Sequence, residues 1–380
     1  MEQNDILKIL THKSGHFVFS ARFDTRVAEK RLIEADTILR MLRSLPVPAQ
    51  VSESFSNAFI RRSILGTAAI EGNPLQEEDV ERIVSAGGDF VPANNREREI
   101  LNLKRAYSIW LDISQEIPDR LLTESIIQEI HKTVMDGIAS SDNTPGQYRN
   151  IRVEVGDVEH GGKYVPPKIL EDIKTLMAAF MEWMNRPEVL SLHPVIRAGL
   201  AHYHLGLIHP FRDGNGRVAR LVEAYILGTS GWKYSGILLS SYYNNNIDRY
   251  YTAFRTCEKE TNYSINDFIN FVIDGVLYSL EEMKSTIIKS ISLSEIRAHT
   301  TSLLEKRKIN ARQRDLVYTL LEIDLDVSIK QLYSSPVFLN IYRNVSEQTA
   351  RRDIKHLLDL NILRAIEAGY KINLNALMLP

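Results

Sequence analysis

The densest chemistry in this chain lies in twelve residues, His209 to Arg220, which read HPFRDGNGRVAR. His209 is the one group among them that titrates near neutral pH, so it could take a proton from an attacking hydroxyl. Gly214, Asn215 and Gly216 suit a tight turn opening a new helix, where unbonded N–H groups and the positive end of the helix dipole attract an anion. Arg217 and Arg220, three apart on that helix, share a face and can reach the same phosphates. Asp213 offers a hard oxygen of the kind that holds Mg²⁺ together with phosphate oxygens. Such a set suits phosphate transfer; it also suits a Gly-Asn-Gly turn that simply joins two helices.

A second candidate stands far upstream. SILGTAAIEGN, Ser63 to Asn73, reads as a helix that Gly72-Asn73-Pro74 should end, which leaves Glu71 in the last turn. There the dipole disfavours a negative charge by roughly 0.3 to 1 kcal/mol, so the carboxylate either finds a cation or stays at the surface without a role. His202 and His204 do not form a metal pair with His209, because residues two apart point about 200° away from each other on a helix and no HExxH is present. His160 and His193 read as flap or loop residues, and Cys257 as a core thiol.

The elements that must position these groups are mostly helices. Apolar residues recur at spacings of three and four over Val27–Leu45, Phe55–Glu71, Gln76–Ala86, Arg96–Ile113, Leu122–Met135, Lys168–Asn185, Pro194–Ile208, Gly216–Thr229 and Ile265–Leu293. Between two of them, Gln147 to Val165 alternates apolar and polar residues around Gly156 and Gly161-Gly162, which predicts a β-hairpin or flap. After a polar stretch at 294–311 the order is a helix, a short partner, a helix from Ser346 as N-cap to Leu360, and a two-strand wing over Ile362–Leu374 with Gly369 at its centre. That order, with ARRDIKHLLDLNIL, resembles a winged helix-turn-helix domain. Residues 311–380 carry nine Lys or Arg against eight Asp or Glu, so despite Arg351, Arg352 and Lys355 the electrostatic footprint for DNA is weak and a protein-interaction or dimerisation role is preferred.

Composition bounds the rest. The chain has 380 residues, 46 Lys or Arg against 48 Asp or Glu, and 44% hydrophobic residues, which excludes a largely disordered protein and one built mainly to neutralise nucleic acid. Two or three domains are expected at roughly 150 residues each. One cysteine cannot make an internal disulfide, the first thirty residues lack the apolar core of a signal peptide, and no run approaches 18 apolar residues. The expectation is a cytoplasmic protein with no membrane segment.

HPFRDGNGRVAR meets every defined position of HPFx[DE]GN[GK]RxxR and so resembles the signature of the Fic family, the protein adenylyltransferases. PGQYRN before the flap, YVPP after it and LHPVIRAGLAHYHLGLIHPF ahead of the signature are also similar to this family, over about residues 55 to 290. The resemblance implies a mainly α fold: a Fic-type helical bundle with a β-hairpin flap, joined here to the C-terminal winged helix. It divides the chain into an N-terminal helical region (1–110), a catalytic core (111–293, flap 147–165) and the winged helix (311–380). It implies transfer of AMP from ATP to a Ser, Thr or Tyr hydroxyl of a target protein, the chain itself included, with Mg²⁺ as cofactor and release of pyrophosphate.

By the same resemblance His209 is the general base and Asp213 the Mg²⁺ ligand. Gly214, Asn215 and Gly216 form the anion hole, and Arg217, Val218, Ala219 and Arg220 continue the nucleotide site. Phe211 anchors the loop, and Asn246 in LSSYYNNNIDRYY contacts the adenosine. The flap, Ile151 to Val165, clamps the target by strand addition. TAAIEG resembles the inhibitory [ST]xxxE[GN] motif, in which the Glu, here Glu71, pairs with the last arginine, here Arg220, and blocks placement of the γ-phosphate. The chain is thus similar to the self-inhibited class, with its inhibitory helix at about 55–73. The signature leaves open another nucleotide, removal of AMP, a homodimer, and a DNA-binding regulator whose core senses a nucleotide.

Overall fold

The computed structural model describes residues 6–374 except 46, 48, 87–89, 117–120, 139–142, 157, 160–161 and 324–325. The chain divides into two compact units between Met283 and Lys284.

The first unit opens on an antiparallel hairpin, β1 (Ile6–Leu10) and β2 (His16–Ser20), with Ile6 opposite Ser20 and Leu10 opposite His16. Sequence periodicity assigned no element here, since five-residue apolar runs carry no decisive period. Tertiary contacts hold it: Phe19 is fully buried against Phe180 and Trp183, and Asp172 accepts from the His12 N–H at 2.7 Å and the Ser14 hydroxyl at 2.6 Å. Burying a phenylalanine of this kind contributes roughly 1.5 to 3 kcal/mol.

Helices follow in the order α1 (Thr25–Ser44), α2 (Ala49–Ile70), α3 (Glu77–Ser85), α4 (Asn95–Glu116), α5 (Glu124–Val134), α6 (Leu170–Met184), α7 (Pro187–Leu190), α8 (Pro194–Ile208), α9 (Asn215–Thr229), α10 (Lys233–Asn245), α11 (Ile247–Lys259) and α12 (Asn266–Glu305). In α1 the expected stripe is the buried one, Ala28, Leu32, Ala35, Leu39 and Leu42, and Asp24 caps the helix by accepting from the N–H groups of Arg26 and Val27. The pair α8 and α9 is buried on almost every side and forms the centre of the unit, with α4, α5 and α10 packed on α9. α10 was not expected as a helix, and of α11 only the surroundings of Cys257 were. The buried face of α10 includes Ser235, Gly236, Ser240 and Ser241, small residues that leave no apolar stripe to read.

The segment expected as a flap is simpler than a regular hairpin. One antiparallel bridge joins Val155 and Tyr164, with N–H···O distances of 2.9 and 2.8 Å. Gly156 and Gly162 flank it with φ of 91° and 93°, conformations that do not continue a strand. Asp157, His160 and Gly161 lie outside the described residues.

The second unit contains the end of α12, then α13 (Ala311–Ile323), α14 (Gln331–Ser334), α15 (Pro336–Tyr342), α16 (Glu347–Asp359) and the antiparallel hairpin β3 (Leu363–Ile366) and β4 (Gly369–Ile372). Ser346 does cap α16, its hydroxyl accepting from the Thr349 N–H at 3.3 Å. The division falls before the polar stretch 294–311 because α12 continues through it and supplies Ile296 and Leu303 to this unit's core, beside Leu316, Leu320, Ile354 and Leu357. On α16, exposed Arg351 is paired with Glu347 at 2.6 Å, which reduces the positive face that DNA would need. Among the described residues no helix is long and apolar enough to cross a membrane.

Candidate active site

The loop between α8 and α9 is built from backbone constraints. His209 ends α8 in the left-handed region, φ 48° and ψ 59°, while its N–H still donates to the Leu205 carbonyl at 2.9 Å. For a residue with a Cβ this conformation costs roughly 1 to 2 kcal/mol, so its surroundings must enforce it. Phe211 is fully buried and lies flat on His131, centroids 3.7 Å apart at 3°. His131 accepts the Gly146 N–H on Nδ1 at 2.8 Å, so Nε2 carries the proton and donates to the Asp213 carbonyl at 3.1 Å. Burial lowers the His131 pKa to about 4, keeping it in this neutral form.

Asn215 braces the same loop. Its Oδ1 accepts the Phe211 N–H at 2.9 Å and its Nδ2 donates to the Phe211 carbonyl at 2.8 Å, so the side chain holds the loop. Gly214 takes φ 80°. The first intrahelical bond of α9 runs from the Val218 N–H to the Gly214 carbonyl, which uses up the Val218 donor. The N–H groups of Asn215, Gly216 and Arg217 precede that bond at the positive end of a 15-residue helix, where an anion is favoured.

A cavity of about 310 Å³ opens beside this turn. Glu71, His209, Gly216, Ala219 and Arg220 line one side, Val155, Gly156 and Tyr164 of the flap segment another, and Tyr250, Tyr251 and Phe254 of α11 a third. Asn246 is not among its lining residues. It sits at the junction of α10 and α11, where its amide donates to the Tyr242 carbonyl at 2.9 Å, and Tyr250, one turn on, reaches the cavity instead. The His209 imidazole is partly exposed there, and burial, reinforced by the Arg149 cation, lowers its pKa to about 4. A hydrogen bond to the Gly206 backbone favours the protonated ring, as a donated N–H does, so at neutral pH the other ring nitrogen is left to accept a proton.

Within the protein the two arginines meet different carboxylates. Arg220 is buried, with Nη2 2.6 Å from Glu71 Oε1 and Nε donating to Thr67 Oγ1 at 2.9 Å. Burial alone would lower its pKa; the Glu71 carboxylate more than reverses that and raises it. Thr67 and Glu71 are four apart, so both oxygens leave one face of the α2 end. That end is a Schellman turn, with the Asn73 N–H on the Ala68 carbonyl, the Gly72 N–H on the Ala69 carbonyl and Gly72 at φ 81°. The Glu71 carboxylate packs so closely on Gly216 that a Cβ there would lie 2.2 Å from Oε1, which puts a carboxylate against the N-terminal turn of α9.

Arg217 instead pairs with Asp213 at 2.8 Å and with Glu99 of α4, which also accepts the Asn73 amide at 2.8 Å. Burial raises the Glu99 pKa against the pull of Arg217. Asp213 is 56% exposed, and its Oδ1 accepts from the Gly214 N–H and from Arg217. Among the described residues no cluster of three His, Cys, Asp or Glu could hold a metal alone. A single exposed carboxylate fits an ion that completes its shell with phosphate oxygens and water, as Mg²⁺ does.

His202 and His204 diverge as expected: His202 bonds Glu223 at 3.0 Å and Tyr250 at 2.9 Å, His204 the Ser20 backbone. His193 caps α8. His131, Glu99 and Arg149 were given no role from sequence. Only the PGQYRN resemblance touched one of them, because single residues far from the signature carry no local pattern.

Residues 121–227 match the Fic/DOC family. Over that stretch the chain is similar to a Fic domain. The protein adenylyltransferase Fic of Nematostella vectensis is 32% identical over 193 residues, 50% of this chain and 41% of that protein. Its namesake in Drosophila erecta is 33% identical over 190 residues, 47% of this chain and 35% of that protein. The chain thus matches less than half the length of these relatives. A Fic family protein from Desulfovibrio desulfuricans G20 superposes with a TM-score of 0.56 at 19% identity, over 92% of this chain and 96% of that one, and so shares the fold. The matched stretch contains His131, Arg149 and the signature loop, whereas Glu71, Glu99 and the aromatic wall of α11 lie outside it; of these, Glu71 and the aromatic wall line the cavity.

Proposed function

We propose that this chain is a protein adenylyltransferase that moves AMP from ATP to a protein hydroxyl, and that Glu71 holds it in an inhibited state. His209 accepts the hydroxyl proton; the oxygen bonds to the α-phosphorus; the bond to the bridging oxygen breaks and pyrophosphate leaves with that electron pair. The N–H groups opening α9 and the Arg220 guanidinium receive the phosphates. Asp213 would hold Mg²⁺, which when bound neutralises phosphate charge. The aromatic wall of Tyr250, Tyr251 and Phe254 suits a nucleobase, and the Val155–Tyr164 segment beside it suits an extended target peptide.

The observation that carries this reading is the convergence, in one cavity, of a neutral His209, the open turn of α9 and Arg220, with the Glu71 carboxylate seated on Gly216. The relatives' name, protein adenylyltransferase Fic, supports the choice of ATP and of a protein acceptor. The test is incubation of the full chain and of Glu71→Gly with each of the four nucleoside triphosphates labelled at the α-phosphate. Self-labelling from ATP is expected. Labelling from another nucleotide alone, or from none in either protein, refutes it.

A further inference from the structure

Arg149 takes no part in the transfer chemistry above, yet it is one of the most constrained side chains around the site. It is 3% exposed, and its guanidinium is spent on carbonyl oxygens. Nε donates to His209 at 2.8 Å, Nη1 to Ile151 at 2.7 Å and Nη2 to Pro167 at 2.8 Å, while its backbone N–H donates to Pro210 at 2.9 Å. Ile151 and Pro167 are the two feet of the flap segment, and His209 and Pro210 begin the signature loop. Among the described residues no carboxylate pairs with Arg149.

A buried cation without a counter-charge is costly, and burial lowers the Arg149 pKa to about 10, still well above neutral. What the guanidinium supplies is a rigid planar fork with donors in three fixed directions, which a lysine lacks. The His209 backbone is held from both sides: its N–H closes α8 on Leu205 and its carbonyl is clasped by Arg149. That clasp accounts for a non-glycine residue staying at φ 48°.

We propose that Arg149 is a positioning residue that locks the His209 backbone and ties it to both feet of the flap, so that the base and the target-binding segment form one rigid piece. This rests on the reading of His209 as the base. Flap placement by a bound target would then be felt at His209 through one side chain. The charged groups near the His209 ring are Arg149, Glu71 and Asp213, with Arg220, Arg255 and Glu258 lining the same cavity. Of the first three only Arg149 disfavours the imidazolium, so it also helps to keep the base neutral.

The test uses the full chain carrying Arg149→Met or Arg149→Lys. ATP affinity is measured by equilibrium dialysis, turnover by self-labelling in the Glu71→Gly background, and His209 titration from its imidazole NMR signals. Arg149→Met should keep ATP affinity within about threefold, lower turnover at least about tenfold, and move the His209 titration upward. Arg149→Lys, which keeps the charge without the fork, should lose turnover while His209 titrates near its parent value. Should the methionine variant fail to fold, the lysine variant decides alone, and full turnover in it overturns the proposal. A fall in ATP affinity parallel to turnover also overturns it, as does an unmoved His209 titration in folded Arg149→Met. If no protein in the set transfers AMP, the proposed function fails, and the His209 titration still decides whether Arg149 holds that residue.

Discussion

Replacing Glu71 by glycine tests the inhibited state directly. The Glu71–Arg220 contact is 2.6 Å, with Arg220 1% and Glu71 25% exposed, so solvent screens the pair only from one side. A charge-assisted hydrogen bond of this kind contributes roughly 1.5 to 3 kcal/mol. Discounting for the exposed face of Glu71 leaves the lower half of that range, and at about 1.4 kcal/mol per factor of ten the productive ATP pose is suppressed about 10- to 40-fold. Steric exclusion acts in the same direction, because the carboxylate fills the space over Gly216. Glu71→Gly should therefore raise the initial rate of self-labelling from α-labelled ATP by at least about tenfold. Glu71→Gln, which keeps the volume and loses the charge, should give a smaller rise. Glu71→Gly with Arg220→Ala should lose the gain, because the guanidinium that the phosphate would use is gone. A Glu71→Gly rate equal to or below the parent's would refute the reasoning, and would leave Glu71 as a participant in the chemistry or as a residue with no part in it.

The same assay sorts the other roles. His209→Ala should abolish labelling while ATP affinity stays within about twofold, since the ring accepts a proton and is not asked to hold the nucleotide; labelling at the parent rate would assign the base elsewhere. Asp213→Ala should remove the Mg²⁺ dependence of labelling along with most of the rate, and undiminished labelling in excess chelator would remove the metal from the scheme. Stability should also depend on pH in a defined window. His131, His204 and His209 have pKa values lowered by burial from 6.5 to about 4, so between those values the unfolded chain binds protons that the folded chain refuses. The unfolding free energy, and with it the urea midpoint, should therefore fall as pH drops from 6.5 towards 4, the free energy at about 1.4 kcal/mol per pH unit for each histidine fully engaged, and level off below. A flat midpoint between pH 7 and 5 would contradict the burial of these rings as neutral species.

Local sequence determined whatever depends on a few neighbouring residues. The stripe of α1, the Ser346 cap, the Gly72 stop of α2 and the turn before α9 were all legible, because periodicity, capping and left-handed glycine are short-range effects. The chemistry of His209, Asp213 and the α9 turn could be named for the same reason: it is packed into twelve consecutive residues. Only the tertiary structure decided which partner each group meets. The sequence reading aimed Arg217 and Arg220 at phosphates and named Glu71 for Arg220, but it held no sign that Glu99 and Asp213 meet Arg217 or that Thr67 meets Arg220 beside Glu71. It named Asn246 for the adenosine and gave no sign that this amide donates to the Tyr242 carbonyl or that Tyr250, Tyr251 and Phe254 line the cavity. It left α10, most of α11 and the β1–β2 hairpin unread, because their burial is arranged by neighbours distant in the chain. A guanidinium has five donors and no preference for sequence distance; which carbonyls or carboxylates meet Arg149, Arg217 and Arg220 is settled by how α2, α4, the flap segment and α9 pack, and no window along the chain contains that information.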